Sequence, residues 1–169
     1  MLFRSEQYGS SLDINDLIEV DFKNEGVIIG DKARITGKID KMHIQDNDLI
    51  ISDWKTGRPQ NTFDSTGDSA IKLLDYRRQL LFYKLLIDGS NTYKKYNAVE
   101  GILEFLEIKD NVFNKLSLNY EEKEIERLKK LIEIVYNKII NLDFPDTSKY
   151  SKNYTGCIEF ENDLLEGNI

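Results

Sequence analysis

The stretch from residue 37 to residue 57 decides the fold and reads GKIDKMHIQDNDLIISDWKTG. Apolar and polar residues alternate in residues 33–42, and residues 47–48 are typical of a turn. The alternation and the turn predict two β-strands, over residues 33–42 and 49–55, that pair as neighbours in one sheet. Glycine and proline in residues 56–59 then end the second strand.

Two carboxylates and one ammonium group are expected to meet where these strands end. Side chains at i and i+2 share a face of a strand, so Asp53 and Lys55 project together while Trp54 points the other way. Pairing around the turn can bring Asp40 next to Asp53. Carboxylate oxygens are the ligands that Mg²⁺ and Mn²⁺ prefer, with waters completing the octahedron. The pattern therefore predicts a divalent-metal site at Asp40 and Asp53, to which the backbone carbonyl of Trp54 adds a neutral ligand.

Such a site suits chemistry on a phosphate. A metal ion held there would polarise a phosphoryl oxygen and lower the pKa of a bound water. Lys55 would orient the resulting hydroxide and stabilise the charge that builds on the phosphate.

The remaining elements follow from hydrophobic periodicity. Strands are expected at residues 17–23 and 27–29, before the quoted stretch. A polar loop at residues 60–68 leads to a helix, and two more strands and a second helix come after it. These later elements are predicted at residues 69–88, 98–108, 112–118 and 121–141, with a turn at 109–111. The chain from residue 148 onward is expected to be irregular. This order predicts a mixed sheet with helices packed against it.

The first helix carries a polar pair on an apolar background. Gln79 and Tyr83 are separated by one helical turn and so share a face. A buried glutamine needs hydrogen-bond partners, and the metal site would supply them. Arg77 and Arg78 come just before this pair, and together with Arg58 they are predicted to contact phosphate groups.

Each of these pieces alone also fits a structural role. The strand end could be solvated, a short glycine-to-aspartate segment occurs often by chance, and a glutamine–tyrosine pair is common in helices. Their occurrence together, in the order strand, strand, helix, favours the functional interpretation.

Composition limits the function classes further. The chain has 169 residues with 40% hydrophobic and 31% charged residues, which predicts one globular domain over residues 1–169. A net charge of −7 excludes a wide basic surface for nucleic acid. Only one cysteine, Cys157, is present, which excludes an internal disulfide and fits a reducing cytoplasm. Residues 1–12 lack a secretory signal, and no apolar window is long enough to span a membrane. We therefore expect a cytoplasmic protein with no membrane contact.

The three pieces resemble motifs of the RecB-type branch of the PD-(D/E)xK nuclease superfamily. Residues 37–40 match its G-x-x-D motif, residues 53–57 match D-Y-K-T-G with Trp54 in the tyrosine position, and Gln79 with Tyr83 matches Q-x-x-x-Y. The resemblance implies an α/β fold with a restriction-endonuclease-like mixed β-sheet flanked by helices. It also implies metal-dependent hydrolysis of DNA phosphodiester bonds.

The same resemblance assigns roles within the site. It implies that Asp40 and Asp53 bind Mg²⁺ or Mn²⁺, that Lys55 is the catalytic lysine, and that Gln79 and Tyr83 complete the catalytic set.

Residues 75–86 are most similar to nuclease domains fused behind UvrD/Rep-type helicases. This implies that residues 1–169 are the C-terminal fragment of a longer helicase-nuclease. Single-stranded DNA would be the substrate, and a helicase domain in cis or in trans would be the partner. We expect an exonuclease that acts in DNA repair or recombination. The alternative is a catalytically silent nuclease-like module that binds DNA or another protein. A third interpretation, an unrelated α/β binding protein, leaves the three matching motifs unexplained.

The sequence departs from the family pattern in two places. RecB-type nucleases usually carry a metal-binding histidine upstream of the first aspartate. Here His43 is the only histidine, and its odd offset from Asp40 places it on the opposite strand face. The missing histidine would lie outside these residues, or an acidic residue such as Glu19 would replace it. Some relatives hold an iron–sulfur cluster, but a cluster needs four thiolates, so with Cys157 alone we expect none.

Overall fold

The computed structural model describes residues 13–64, 67, 69–109 and 112–169. In this part of the chain, seven strands and three helices follow one another. The strands are β1 (Asp16–Asp21), β2 (Val27–Ile29), β3 (Ala33–Ile35), β4 (Lys38–Gln45), β5 (Asp48–Lys55), β6 (Asn97–Lys109) and β7 (Val112–Asn119). The helices are α1 (Ala70–Gly89), α2 (Glu122–Ile140) and α3 (Tyr154–Glu166).

Five strands form one mixed sheet in the order β1-β4-β5-β6-β7. Its central pair, β5 and β6, is parallel, and the other neighbouring pairs are antiparallel. A parallel pair requires a long crossover, and α1 provides it. Strands β2 and β3 pair with each other in a separate hairpin. The predicted α/β class, a mixed sheet flanked by helices, is confirmed.

Helix α1 packs closely on one face of the sheet. A Cβ atom at Gly101 of β6 would lie 3.1 Å from Cβ of Leu80 and 2.6 Å from the hydroxyl oxygen of Tyr120. The absence of a side chain at Gly101 therefore sets how near the helix comes to β6. Fully buried residues of β5, β6 and α1 fill the space around this contact, among them Leu49, Ile51, Leu80, Leu85, Leu103 and Phe105.

The other two helices pack around α1 and the β2–β3 hairpin. Helix α2 contacts α1, α3 and both hairpin strands. Ion pairs join the three helices: Arg77 of α1 pairs with Glu124 of α2, and Arg78 of α1 pairs with Glu161 of α3. Arg127 of α2 also reaches Glu161, at 3.2 Å. Glu161 therefore connects α3 to both of the other helices.

The expectation that the chain is irregular from residue 148 onward is wrong, because α3 lies there. The side chain of Asn153 caps its N-terminus by accepting a hydrogen bond from the backbone N–H of Gly156, at 3.0 Å. Gly167 ends it in the left-handed conformation, with φ 73°. These two capping residues indicate a helix, but the prediction of an irregular chain rested on the acidic composition of the segment. The strand predicted over residues 33–42 is also divided, since β3 and β4 belong to different sheets.

Some expectations fall partly or wholly outside the described residues. They are the lack of a secretory signal in residues 1–12, part of the loop at 60–68, and the centre of the turn at 109–111. None of the described helices combines the length and low polarity that a membrane crossing requires.

Tyr120 and Gly101 provide a test of the α1–sheet contact. The Tyr120 hydroxyl is buried and has no hydrogen-bond partner among the described residues, so Tyr120→Phe should raise the free energy of unfolding by about 1 kcal/mol. Gly101→Ala should lower it by about 1–3 kcal/mol, because the added methyl group meets that hydroxyl and Leu80. Urea denaturation followed by circular dichroism measures both effects. In the Tyr120→Phe background the cost of Gly101→Ala should be smaller; an equal cost in both backgrounds would contradict this packing.

Candidate active site

Four polar side chains form a closed ring between the end of β5 and the middle of α1. The Tyr83 hydroxyl donates to Oδ1 of Asp53 at 3.0 Å and accepts a hydrogen bond from Nε2 of Gln79 at 2.9 Å. Nζ of Lys55 donates to Oε1 of Gln79 at 2.5 Å and lies 2.5 Å from Oδ2 of Asp53. The structure thus brings together four of the five predicted catalytic residues through direct contacts.

Strand and helix geometry explain this arrangement. Asp53 and Lys55 are two residues apart on β5 and lie on the face that α1 covers. Gln79 and Tyr83 are four residues apart on α1, so both face the strand. The ring is well shielded from solvent, since Asp53 is 2% exposed and the Lys55 side chain is 14% exposed.

Asp40 lies beside this ring, on β4. Lys41 pairs with Ser52 in the antiparallel β4–β5 register, so the next position outward places Asp40 opposite Asp53. Oδ2 of Asp40 accepts a hydrogen bond from the backbone N–H of Trp54 at 2.9 Å. The two carboxylates therefore lie on adjacent strands, and the Trp54 N–H holds the Asp40 carboxylate at the end of β5.

Burial and the contacts within the ring shift the pKa values of Asp53 and Tyr83. Burial raises the pKa of Asp53, the Lys55 ammonium lowers it, the nearby Asp40 charge raises it again, and the Tyr83 hydrogen bond lowers it; the net direction is upward. Burial, followed by the charge of Asp53, raises the pKa of Tyr83. Tyr83 therefore keeps its proton at neutral pH and remains a hydrogen-bond donor to Asp53.

The donor set fits a hard divalent cation. Oδ2 of Asp53 is buried and lies 2.5 Å from the Lys55 ammonium, with the charge of Asp40 nearby. Nowhere in the described residues do three or more His, Cys, Asp or Glu side chains form a group that could hold a metal ion. Two carboxylates with a backbone carbonyl are too few for a closed zinc site but suit Mg²⁺, which retains several waters.

Two residues of α1 that sequence reasoning missed also reach the site. Nζ of Lys55 lies 4.5 Å from the centre of the Tyr76 ring, and Nζ of Lys72 lies 5.4 Å from the same ring. Residues 72, 76, 79 and 83 follow one another at spacings of four, three and four, the pattern of a single helix face. That spacing was the available signal.

The other predicted residues lie away from the ring or bind elsewhere. Arg77 makes a two-pronged ion pair with Glu124, with hydrogen bonds of 2.9 Å from both Nε and Nη2. Arg78 binds Glu161. Arg58 is exposed in the loop that follows β5. DNA contact by these three arginines stays a prediction, and the structure places two of them in ion pairs between helices.

Among the described residues, neither His43 nor Glu19, the proposed substitute for the upstream histidine, forms a metal-binding group with the two carboxylates. Nδ1 of His43 hydrogen-bonds Oδ1 of Asp16 at 2.8 Å, on the strand face opposite Asp40. Glu19 has a positive φ of 55° on β1, and its carboxylate lies 3.4 Å from Nζ of Lys38.

Comparison with known proteins identifies the class of protein that this fold and site define. The family model of the PD-(D/E)XK nuclease superfamily matches residues 5–157. The chain therefore belongs to the PD-(D/E)XK nuclease superfamily. Membership of the RecB-type branch stays a prediction.

Among solved structures, one similar chain is titled as the crystal structure of SSO0001. It is 22% identical, covers 77% of this chain and superposes with a TM-score of 0.41. The present chain spans about half of that protein, 52% of its length. No curated protein matches the sequence.

Asp16 forms a cluster with His43 and Lys41, whose nitrogens lie 2.8 Å and 3.3 Å from its carboxylate oxygens. This Asp16 cluster predicts a pH-dependent contribution to stability. Burial raises the pKa of Asp16, but hydrogen bonds from the Asp13 backbone and His43, with the charge of Lys41, lower it overall. A lowered pKa stabilises the fold above the unfolded value of 3.8, and this stability is lost as the pH falls through the folded pKa. Asp16→Asn should lower the free energy of unfolding by about 1–3 kcal/mol at pH 7. Urea denaturation at pH 7 and below pH 3.8 measures the difference, which should shrink at the lower pH; a constant difference would contradict the cluster.

The contact between Lys55 and Tyr76 predicts a measurable coupling. In a double-mutant cycle, Lys55→Met and Tyr76→Leu should be coupled by about 1 kcal/mol, because the ring stabilises the ammonium group above it. Tyr76→Phe keeps the ring and serves as the matched control, so its coupling to Lys55→Met should be close to zero. Free energies of unfolding in urea measure all four corners of each cycle. Equal coupling for the leucine and phenylalanine variants would show that the ring face does not hold Lys55.

Proposed function

We propose that this chain is a divalent-metal-dependent deoxyribonuclease domain that hydrolyses phosphodiester bonds of single-stranded DNA. Membership of the nuclease superfamily supports the reaction class. The observation that carries the proposal is the closeness of the Asp53 and Asp40 carboxylates on adjacent strands, with the Lys55 ammonium 2.5 Å from the buried Oδ2 of Asp53. Two neighbouring carboxylates beside a fixed ammonium group are suited to a divalent cation.

Asp40, Asp53 and the backbone carbonyl of Trp54 would hold Mg²⁺ or Mn²⁺. When bound, the ion polarises a phosphoryl oxygen and lowers the pKa of a coordinated water. Asp40 is already oriented for this role, because the Trp54 N–H fixes its Oδ2. Asp53 is oriented by the Tyr83 hydroxyl on Oδ1, which leaves Oδ2 directed away from that hydrogen bond.

Lys55 would place a positive charge beside the scissile phosphate. Its ammonium contacts Asp53, donates to Gln79 and lies over the Tyr76 ring, so three partners limit its position. A charge held in place before the reaction stabilises the developing negative charge without reorganisation. Gln79 and Tyr83 would serve as positioning residues, because each fixes a neighbour within the ring.

Coupling to a helicase is part of the proposal. An acidic chain with a net charge of −7 attracts DNA weakly, so a helicase domain in cis or in trans would supply most of the affinity and deliver single strands. We further propose an exonuclease of DNA repair or recombination, in the cytoplasm, with residues 1–169 as the C-terminal part of a longer helicase-nuclease. Arg58, which is exposed in the loop that follows β5, is the best placed of the three arginines to contact a phosphate, because Arg77 and Arg78 bind acidic partners.

A catalytically silent nuclease-like module is the second candidate. It is favoured by one observation: the described residues offer two adjacent carboxylates but no histidine ligand, because His43 is bound to Asp16. Such a module would bind DNA or a protein without cleaving it.

Cleavage of labelled single-stranded DNA tests the proposal. With Mg²⁺ or Mn²⁺ the parent protein should cleave, chelation by EDTA should abolish cleavage, and Asp53→Asn and Lys55→Met should each lower the rate by about 10²–10³-fold. Lys123→Met removes a lysine that is 81% exposed and serves as the charge-matched control with a parent-like rate. Uncut circular single strands alongside degraded linear strands would identify an exonuclease.

The contrary outcomes are equally specific. Cleavage that persists unchanged in Asp53→Asn and Lys55→Met would place the activity elsewhere. DNA binding by the parent protein without cleavage in either metal would favour the silent module.

A further inference from the structure

Glu104 is a buried carboxylate on the sheet face opposite the candidate active site. In the parallel β5–β6 register, Asp53 pairs with Leu103 and Trp54 pairs with Glu104. Neighbouring positions of a strand point to opposite faces, so Trp54 and Glu104 lie together behind Asp53. Glu104 is only 6% exposed. It does not belong to any of the motifs found in the sequence.

Both oxygens of Glu104 are engaged. Oε2 accepts a hydrogen bond from the indole Nε1 of Trp54 at 3.0 Å, and Oε1 accepts one from Nζ of Lys115 at 2.9 Å. Lys115 lies across from Glu104 on β7, so three side chains on three adjacent strands form one row. Lys115 balances the charge that burial would otherwise make costly.

A buried carboxylate is an expensive way to pack a strand, because an apolar side chain of similar size would fill the same space. Unlike an apolar side chain, the carboxylate accepts a hydrogen bond from the indole N–H, and this bond fixes the rotation of the indole ring. Trp54 is then held at two points, by Glu104 through its side chain and by Asp40 through its backbone N–H.

We propose that Glu104 is a positioning residue of the metal site. By fixing the indole of Trp54, it fixes the Trp54 backbone carbonyl and the Asp40 carboxylate that binds the Trp54 N–H. This inference rests on the proposed function and extends the site to a strand that the nuclease motifs do not include.

Mn²⁺ binding to the purified chain tests the proposal independently of cleavage, through the electron paramagnetic resonance signal of free Mn²⁺. Glu104→Leu should weaken Mn²⁺ affinity about tenfold, since groups that orient metal ligands commonly have effects of that size. Glu104→Gln should weaken it about threefold, because its amide oxygen still accepts the indole N–H but more weakly. Glu107→Leu removes an exposed carboxylate from the same strand and is the control with parent-like affinity.

A double-mutant cycle separates positioning through Trp54 from a general structural role. Trp54→Phe keeps the backbone carbonyl but removes the indole N–H, so it should weaken Mn²⁺ affinity by itself. Adding Glu104→Leu to Trp54→Phe should change the affinity little further. Trp54 is the only tryptophan, so near-ultraviolet circular dichroism should report altered indole packing in Glu104→Leu.

Each other result overturns the proposal. Parent-like Mn²⁺ affinity in Glu104→Leu, or a full further loss when it is added to Trp54→Phe, would overturn the positioning role alone. If Glu104→Leu does not fold, Glu104→Gln decides, and parent-like affinity there would overturn it. Absence of Mn²⁺ binding by the parent protein would overturn both this inference and the proposed metal-dependent function.

Discussion

The carboxylate of Asp53 is buried at the end of β5, where water cannot compensate its charge. Two partners compensate it instead, the Lys55 ammonium from the same strand and the Tyr83 hydroxyl from α1. Tyr83 reaches Asp53 only because α1 lies close to the sheet, and it lies close because Gly101 carries no side chain. The arrangement of the site therefore depends both on compensating the charge of Asp53 and on the close approach of α1 that Gly101 allows.

Two arginines on the other faces of α1 bind acidic residues of the neighbouring helices. Arg77 and Arg78 are joined to acidic partners on α2 and α3, so part of the excess acidic charge of the chain holds helices together. Because Glu161 contacts arginines of two helices, α3 is attached to the domain by charge as well as by apolar packing. Arg77 and Arg78 are therefore bound to acidic partners in the folded protein.

Local patterns predicted what depends on local geometry. The turn at residues 47–48 predicted the start of β5, and a four-residue spacing placed Gln79 and Tyr83 on one helix face. Contacts between distant elements could not be predicted from such patterns. Arg78 and Glu161 are 83 residues apart, and Trp54 and Glu104 are 50 residues apart. No periodicity relates such residues, since their contact depends on the register of β5 with β6 and on the packing of α3. Helix α3 itself was missed because composition was weighed above its capping residues, Asn153 and Gly167.

The candidate active site is assembled from residues that lie far apart in the sequence. The contacts of the site span 14 residues from Asp40 to Trp54, 30 from Asp53 to Tyr83 and 50 from Trp54 to Glu104. Contacts of such long range form late and cooperatively, because the chain must first lose the entropy of closing large loops. A nascent or partly folded chain therefore lacks the assembled site, which forms only with the completed fold.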